Sequence, residues 1–354
     1  MSRRPSDRTV AGSGDHGADS ERSDTAPPEV ERASPSVAVI VPVLDEADSI
    51  ESCLRAVLDQ TYSRITEIIV VDGGSTDGTV DVVLAHPSVT LLRNPLRAQS
   101  AALNIGLRHA RADVVVRVDG HCRIAPDYVE RCIEVLDATG AAMVGGAMTP
   151  EATGAVHGAI AAAMSSRLGA GPARFHTDGP AGWVDTVYLG AYRRRDALEI
   201  GGYAEVPINE DAEFAHRMGS LRGIRFDPSI RSRYSPRSSL RDLGRQFYRY
   251  GRGRARTTIR HTDSLRPRQL AAPALVIGLA SPFRRQVAAL YVAGLAIAVA
   301  TDGRRLGKGT PAFVVALPTM HLAWGTGFLV GLVRPLAMPK PSRPLTTSDV
   351  PADG

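Results

Sequence analysis

Between residues 37 and 118 the chain alternates short apolar runs with amphipathic stretches, the signature of strands and helices in turn. Val37-Ala38-Val39-Ile40-Val41-Pro42-Val43 is rich in β-branched residues and carries no charge, as a strand buried on both faces of a parallel sheet requires. Ile50, Leu54, Val57 and Leu58 then recur at helical spacing, behind Asp45 or Asp48 as a cap. Glu67–Val71 and Val89–Leu92 supply a second and a third strand. Gln99–Ala110 reads as a helix, and Val114–Val118 as a fourth strand that stops at Asp119. This alternation predicts an α/β, doubly wound sheet, whose ligands bind beyond the carboxyl ends of the strands. Three of those ends carry acids: Asp45 with Glu46, Asp72, and Asp119.

The second half is patterned differently. After a Gly/Ala-rich region through about Gly182, Trp183–Leu189 alternates like a strand, and Asn209–Met218 reads as a helix that opens on Glu210-Asp211. Arginine recurs at 237, 241, 245, 249, 252, 256 and 260, while Leu240, Leu243, Phe247 and Tyr250 share one face, which makes a basic amphipathic helix. Three apolar stretches follow, about Ala271–Phe283, Val287–Ala300 and Pro311–Val333. Only the last reaches the roughly 30 Å of a bilayer at about 1.5 Å per residue. The other two suit short tilted spans, a re-entrant hairpin or interfacial helices. The expected organisation is a disordered segment 1–35, an α/β domain 36–236, a basic interfacial region 237–268, membrane-associated helices 269–333 and a disordered tail 334–354.

Composition changes the picture in two places. The net charge of +5 admits nucleic acid as a partner, but the arginine excess is gathered beside apolar segments, so an anionic membrane surface is the expected partner. Cys53, Cys122 and Cys132 lack the spacing of a zinc knuckle or a redox pair and point to a thiol-reducing compartment. Residues 1 to about 35 carry almost no large apolar side chain and no signal-peptide run.

Asp72-Gly73-Gly74-Ser75-Thr76-Asp77-Gly78-Thr79 follows a strand and opens a helix. Its glycines permit close backbone approach to a ligand, and the Asp72 carboxylate can accept from a base or ribose; taken alone, it also reads as a turn capped by Ser75 and Asp77. Together with Val41-Pro42-Val43-Leu44-Asp45-Glu46, Asp119-Gly120-His121 and Asn209-Glu210-Asp211, it resembles the ordered motifs of family 2 glycosyltransferases with the GT-A fold, over about residues 36–260. Arg117-Val118-Asp119-Gly120-His121-Cys122 and Tyr250-Gly251-Arg252-Gly253-Arg254-Ala255-Arg256 are most similar to the bacterial succinoglycan-biosynthesis type.

The resemblance implies a nucleotide-sugar donor, expected to be a UDP-sugar. Its nucleoside would be held by Pro42, Val43, Asp45, Glu46 and Asp72, with Arg97 and Gln99 in the following loop. Asn104 has two readings, one in nucleotide binding and one in loop packing. Asp119 and His121 correspond to the family's Asp-x-Asp, where acidic side chains bring a divalent cation, Mn²⁺ or Mg²⁺, to the diphosphate. Imidazole in the second position favours Mn²⁺, and His121 also reads as an ordinary loop histidine. Asp211 is the expected base of an inverting transfer, with Glu210 positioning it or the acceptor; both acids also suit a helix N-terminus through its dipole. Gln246, Arg249 and Tyr250 form a loose version of the family's Gln-x-x-Arg-Trp motif, on the acceptor and diphosphate side. The expected product is a β-linked sugar on a glycan or lipid-linked acceptor, made at the cell membrane from the cytoplasmic side. Rival readings are a sugar nucleotidyltransferase, whose glycine-rich basic loop is missing from Pro42–Ile50, and an inactive membrane scaffold.

Overall fold

The first apolar run forms a fully buried strand, and a sheet assembles around it. The structure is a computed structural model that describes residues 34–170, 179–205, 209–235 and 239–335. Its strands are β1 (Val37–Val43), β2 (Ile65–Asp72), β3 (Thr90–Arg93), β4 (Val114–Arg117), β5 (Cys122–Ile124), β6 (Met143–Pro150), β7 (Gly182–Val184), β8 (Tyr188–Arg193) and β9 (Ile224–Tyr234). They lie in the order β3-β2-β1-β4-β8-β6-β9-β5, with β7 paired to β9. β3, β2, β1 and β4 run parallel, and β8 is antiparallel to both β4 and β6.

The period-two alternation of β1 sends successive side chains to opposite faces of the sheet, so two cores result. Val37, Val39, Val41 and Val43 join one core, and Ala38 and Ile40 the other. The helices are α1 (Ile50–Leu58), α2 (Thr79–Leu84), α3 (Gln99–His109), α4 (Tyr128–Thr139), α5 (Ala155–Ser165), α6 (Arg167–Ala170), α7 (Arg194–Glu199), α8 (Glu210–Arg222), α9 (Leu240–Arg260), α10 (Ala271–Ala280), α11 (Arg284–Thr301) and α12 (Thr310–Val333). The first core takes residues from α1, α4, α5 and α12; the second takes them from α3, α7 and α8. Helix α3 approaches the sheet closely, and a Cβ at Gly106 would come 2.6 Å from Ile40 Cγ2.

Three expectations need correction. Neither Asp45 nor Asp48 caps α1; its N-cap is Ser49, and Asp45 bonds the neighbouring loop instead. Trp183–Leu189 is not one strand. It divides into β7 and the start of β8, because Gly182–Val184 pairs with β9 whereas Tyr188–Arg193 inserts between β4 and β6. The apolar stripe of the arginine helix is not free, since Leu243 is buried in the first core and Leu240 and Phe247 pack against it. Along α9, Gly251 and Arg252 pack on α12, where a Cβ at Gly251 would collide with the Trp324 carbonyl and one at Gly327 with the Tyr248 carbonyl. Small residues at such a crossing let two helix backbones touch.

Helix α12 lies within Leu306–Val333, the one helix among the described residues long and apolar enough to cross a membrane. Its first half, Phe313, Ala316, Leu317 and Met320, is buried in the sheet's first core. The expected segments 1–35 and 334–354 fall almost wholly outside the described residues, as does Arg237.

Candidate active site

Two loops at the carboxyl ends of β1 and β2 are laced together by the acids noted in the sequence. The Asp72 carboxylate accepts from Gly74 N at 2.8 Å and from Ser75 N and Ser75 Oγ, which fixes its own turn. Asp45, at φ 55, takes Thr76 N on its Oδ1 at 2.8 Å, and Asp77 takes Ala47 N at 2.9 Å. A non-glycine residue in the left-handed region is costly and persists where its surroundings hold it, often at ligand sites. Here the Asp45–Thr76 bond and the Asp45 N–Ser75 Oγ bond hold it. Arg97, also at positive φ, donates to the Gly74 carbonyl and ties the next loop to this one.

Asp119 stands just beyond β4, almost wholly buried, and Arg117 Nε donates to its Oδ1 at 2.8 Å. Gln99 Nε2 donates to the same oxygen at 3.3 Å. Burial alone would raise the Asp119 carboxyl, but the Arg117 guanidinium overrides it and holds the group below the usual carboxylate range. Asp119 is therefore ionised at neutral pH. Two residues on, His121 Nδ1 lies 2.9 Å from Glu46 Oε1, with its side chain 40% exposed. Gly120 permits this juxtaposition, because a Cβ there would come 2.8 Å from Val43 Cγ1.

Glu210 and Asp211 open α8 behind Asn209, which has φ 58, a conformation asparagine tolerates better than most residues. The two acids diverge. Glu210 turns inward, buried, with its Oε1 3.6 Å from Arg117 Nη2. Burial and the neighbouring Asp211 charge raise its carboxyl to about 7, against the opposing pull of Arg117. Asp211 is exposed, and its Oδ1 accepts from Ala212 N at 2.7 Å. On α9, Gln246 Nε2 donates to Tyr250 Oη at 2.9 Å, and the Tyr250 carbonyl accepts from Asn209.

One open cavity of about 1900 Å³ collects most of these groups: Glu46, Gln99, Asp119, His121, Glu210, Asp211, Gln246, Arg249 and Tyr250 all line it. Pro42, Val43, Asp45, Asp72 and Arg97 do not line that cavity; they build the strand ends and loops beside it. Asn104 resolves to packing: it is buried and exchanges hydrogen bonds of 2.7 and 2.8 Å with the backbone of Tyr203. Arg117 was missed as a site residue, although a charged side chain inside the apolar run Val114–Val118 was a visible signal. Asp185, Arg254 and Arg268, also on the cavity wall, left no such signal.

Among the described residues no group of three or more His, Cys, Asp or Glu side chains is arranged to hold a metal ion. Asp119 and the His121 imidazole line one cavity wall, with both Asp119 oxygens accepting from Arg117 and His121 Nδ1 against Glu46, so the protein alone supplies too few open donors to close a metal site. That fits a cation shared with a phosphate-bearing ligand rather than a site closed by protein alone.

Residues 38–201 match Glycosyl transferase family 2. The chain is 32% identical over 315 residues to the succinoglycan biosynthesis protein ExoA of Rhizobium meliloti, covering 84% of this chain and 95% of that protein. It is 26% identical over 230 residues to a dolichyl N-acetyl-α-D-glucosaminyl phosphate 3-β-D-2,3-diacetamido-2,3-dideoxy-β-D-glucuronosyltransferase of Methanococcus voltae, covering 61% of this chain and 71% of that protein. In fold it is similar to the mannosyltransferase PcManGT of Pyrobaculum calidifontis, solved with GDP-Man and Mn²⁺, at a TM-score of 0.53 and 22% identity, covering 82% of this chain and 88% of that one.

Proposed function

The chain belongs to the family 2 glycosyltransferases, of the exopolysaccharide-biosynthesis type with a GT-A fold, and on that premise we propose that it is an inverting enzyme that glycosylates a membrane-presented acceptor. The observation that carries this reading is that Asp211 and Glu210 line the same cavity as Asp119, His121 and Glu46. In this reading a proton acceptor and a diphosphate site share one cleft.

The nucleoside of the donor, a UDP-sugar in this reading, lies against the strand ends at Pro42, Val43, Glu46 and Asp72, with Asp45, Arg97 and Gln99 shaping the loops around it. Asp119 and His121 would hold a divalent cation together with the donor's diphosphate, and such a cation neutralises charge on the leaving group. The similar fold of a mannosyltransferase solved with GDP-Man and Mn²⁺ supports both donor class and metal. Asp211, exposed to the cleft, takes the proton of the acceptor hydroxyl while that oxygen bonds the anomeric carbon. The carbon's bond to the nucleoside diphosphate breaks on the opposite face, so an α-linked donor gives a β-linked product. Glu210, buried against Arg117, has a positioning role in this reading, toward the acceptor or Asp211. Gln246, Arg249 and Tyr250 line the acceptor side.

Membrane attachment is supported by α12 and by the exposed apolar side chains of α10, α11 and the turn between them, among them Ile277, Phe283, Leu290 and Ile297. The catalytic domain is placed on the cytoplasmic side, where nucleotide sugars are made. The test is to incubate membranes bearing the protein with a panel of labelled nucleotide sugars and Mn²⁺, and to determine the anomeric configuration of the glycosylated lipid. A β-linked product from an α-linked UDP-sugar supports the reading; a retained configuration, or no transfer from any donor, counts against it.

A further inference from the structure

Helix α12 is long and apolar enough to cross a bilayer, but its neighbours are not suited to one. Its first half, with Phe313, Ala316, Leu317 and Met320, is buried in the sheet's first core. Its second half runs beside α9. A Cβ at Gly244 would meet Thr319, one at Gly251 the backbone of Trp324 and Phe328, and one at Gly331 Ala255 and Arg252, so the register rises together along both helices. Arg252 Nη2 also donates to the Arg334 carbonyl at 3.4 Å. This contact covers residues 319–334 of the chain, about 22 Å at about 1.5 Å per residue. Arg245, Arg249, Arg252 and Arg254 lie in the matching stretch of α9. A spanning α12 would draw all four into or beside hydrocarbon, where charged side chains are rare and costly.

Helices α10 and α11 are open on one side. Leu270, just before α10, and Ala274 and Ile277 within it are exposed at i, i+4 and i+7. On α11, Leu290, Ala293 and Ile297 are exposed at i, i+3 and i+7, while Leu295, Ala298 and Val299 belong to the first core. Each helix thus offers an apolar stripe along its length. The 10 residues of α10 reach about 15 Å and the 18 of α11 about 27 Å, both short of the roughly 30 Å of hydrocarbon. Exposed cations stand at both ends of α11: Arg284 and Arg285 before it, Arg304 and Lys308 after it. Asp302 is the only acid between Arg284 and Lys308. Cations at both ends would give a spanning α11 no orientation.

We infer that α10 and α11 lie in the plane of one anionic leaflet, with their apolar stripes among the acyl chains and the four cations among the headgroups, and that no helix among the described residues crosses the bilayer. That placement rests on the membrane attachment proposed above and specifies its form. Helix α12 backs α10 as an inner layer, where a Cβ at Gly325 would meet the Ala272 carbonyl. Charge selects phospholipid as the occupant of the stripes: a second copy of the chain would bring like charge to their rim, whereas an anionic leaflet attracts every basic group there.

The test labels the full-length protein in sealed membrane vesicles with a membrane-impermeant maleimide. Gln286→Cys, Lys308→Cys and Arg334→Cys each place one thiol at an exposed position, Ser63→Cys marks the catalytic domain, and the native cysteines are buried. All four variants should be labelled from the same side. Labelling of any of the first three from the side opposite to Ser63→Cys would mean that α11 or α12 spans, and would overturn the inference. The paired change Arg284→Gln with Arg285→Gln should weaken binding to phosphatidylcholine vesicles containing phosphatidylglycerol about twentyfold, and binding to phosphatidylcholine alone by no more than about twofold. Equal weakening on both vesicles, or none on either, would overturn it as well. So would a stable dimer in detergent that shields Leu290→Cys from the maleimide, since the stripe would then belong to a second copy. Protein that washes off membranes and binds neither vesicle would overturn the proposed attachment and this placement together. Nucleotide-sugar turnover by the same preparations reports the transferase reading separately, so each can fail without the other.

Discussion

Arg117 donates its Nε–H to Asp119 at 2.8 Å where both side chains are almost wholly buried, and the same guanidinium faces Glu210 across 3.6 Å. One cation therefore compensates acids from two distant parts of the chain. Arg117→Leu should destabilise the protein by about 3–5 kcal/mol, because removing one partner leaves a buried charge uncompensated. Chemical unfolding monitored by fluorescence checks this. A loss below about 1 kcal/mol would show that the pair is not what holds β4 to α8.

The raised Glu210 carboxyl makes stability depend on pH. Its folded value of about 7 lies above the ordinary 4.5, so folding favours the protonated form. The stability this gives is fully present below about pH 4.5 and is lost as pH rises through 7. Glu210→Gln cannot ionise. The wild type's stability relative to Glu210→Gln should therefore decline between pH 5 and 8, read as the difference in Tm. A difference that is flat or rises with pH would contradict the assignment.

The crossing of α9 and α12 should tolerate no side chain at Gly251, where a Cβ would meet the Trp324 carbonyl. Gly251→Ala is expected to cost about 1–3 kcal/mol from overpacking. Gly158, in α5 with open space around it, is the control: Gly158→Ala should stabilise by about 0.5–1 kcal/mol through helix propensity. Thermal unfolding in detergent, comparing the two variants, reads both signs at once.

Metal dependence should track the two residues proposed to share a cation with the donor. Chelation with EDTA should abolish transfer and Mn²⁺ restore it. His121→Ala should raise the Mn²⁺ concentration for half-maximal activity by about tenfold or more, as loss of one ligand bond implies. Activity indifferent to chelation would remove the cation from the account.

The central sheet was legible because β1, Ile68–Val71 of β2 and Val114–Val116 of β4 are buried on both faces and so read as apolar runs. Sheet partners were not legible. Alternation across Trp183–Leu189 shows that strands exist, but not that β7 joins β9 while Tyr188–Arg193 reverses direction between β4 and β6. Helix α9 was plain in its periodicity, whereas an apolar stripe fits a bilayer or a neighbouring helix equally, and only the glycine contacts with α12 show the second. The site divides the same way. Motif order brought out Asp119, His121, Glu210 and Asp211, but the pairing of Arg117 with Glu210 spans 93 residues (210 − 117) and has no local signal.

The central claim is that Asp211 accepts the proton of the attacking hydroxyl, and steady-state transfer by Asp211→Asn tests it most directly. Asparagine keeps the size of the side chain, and Asp211 is exposed, so the fold is retained. The account predicts a fall in kcat of about 100-fold or more, the scale of a lost general base, with little change in donor KM. A variant whose kcat stays within about twofold of the wild type would contradict it.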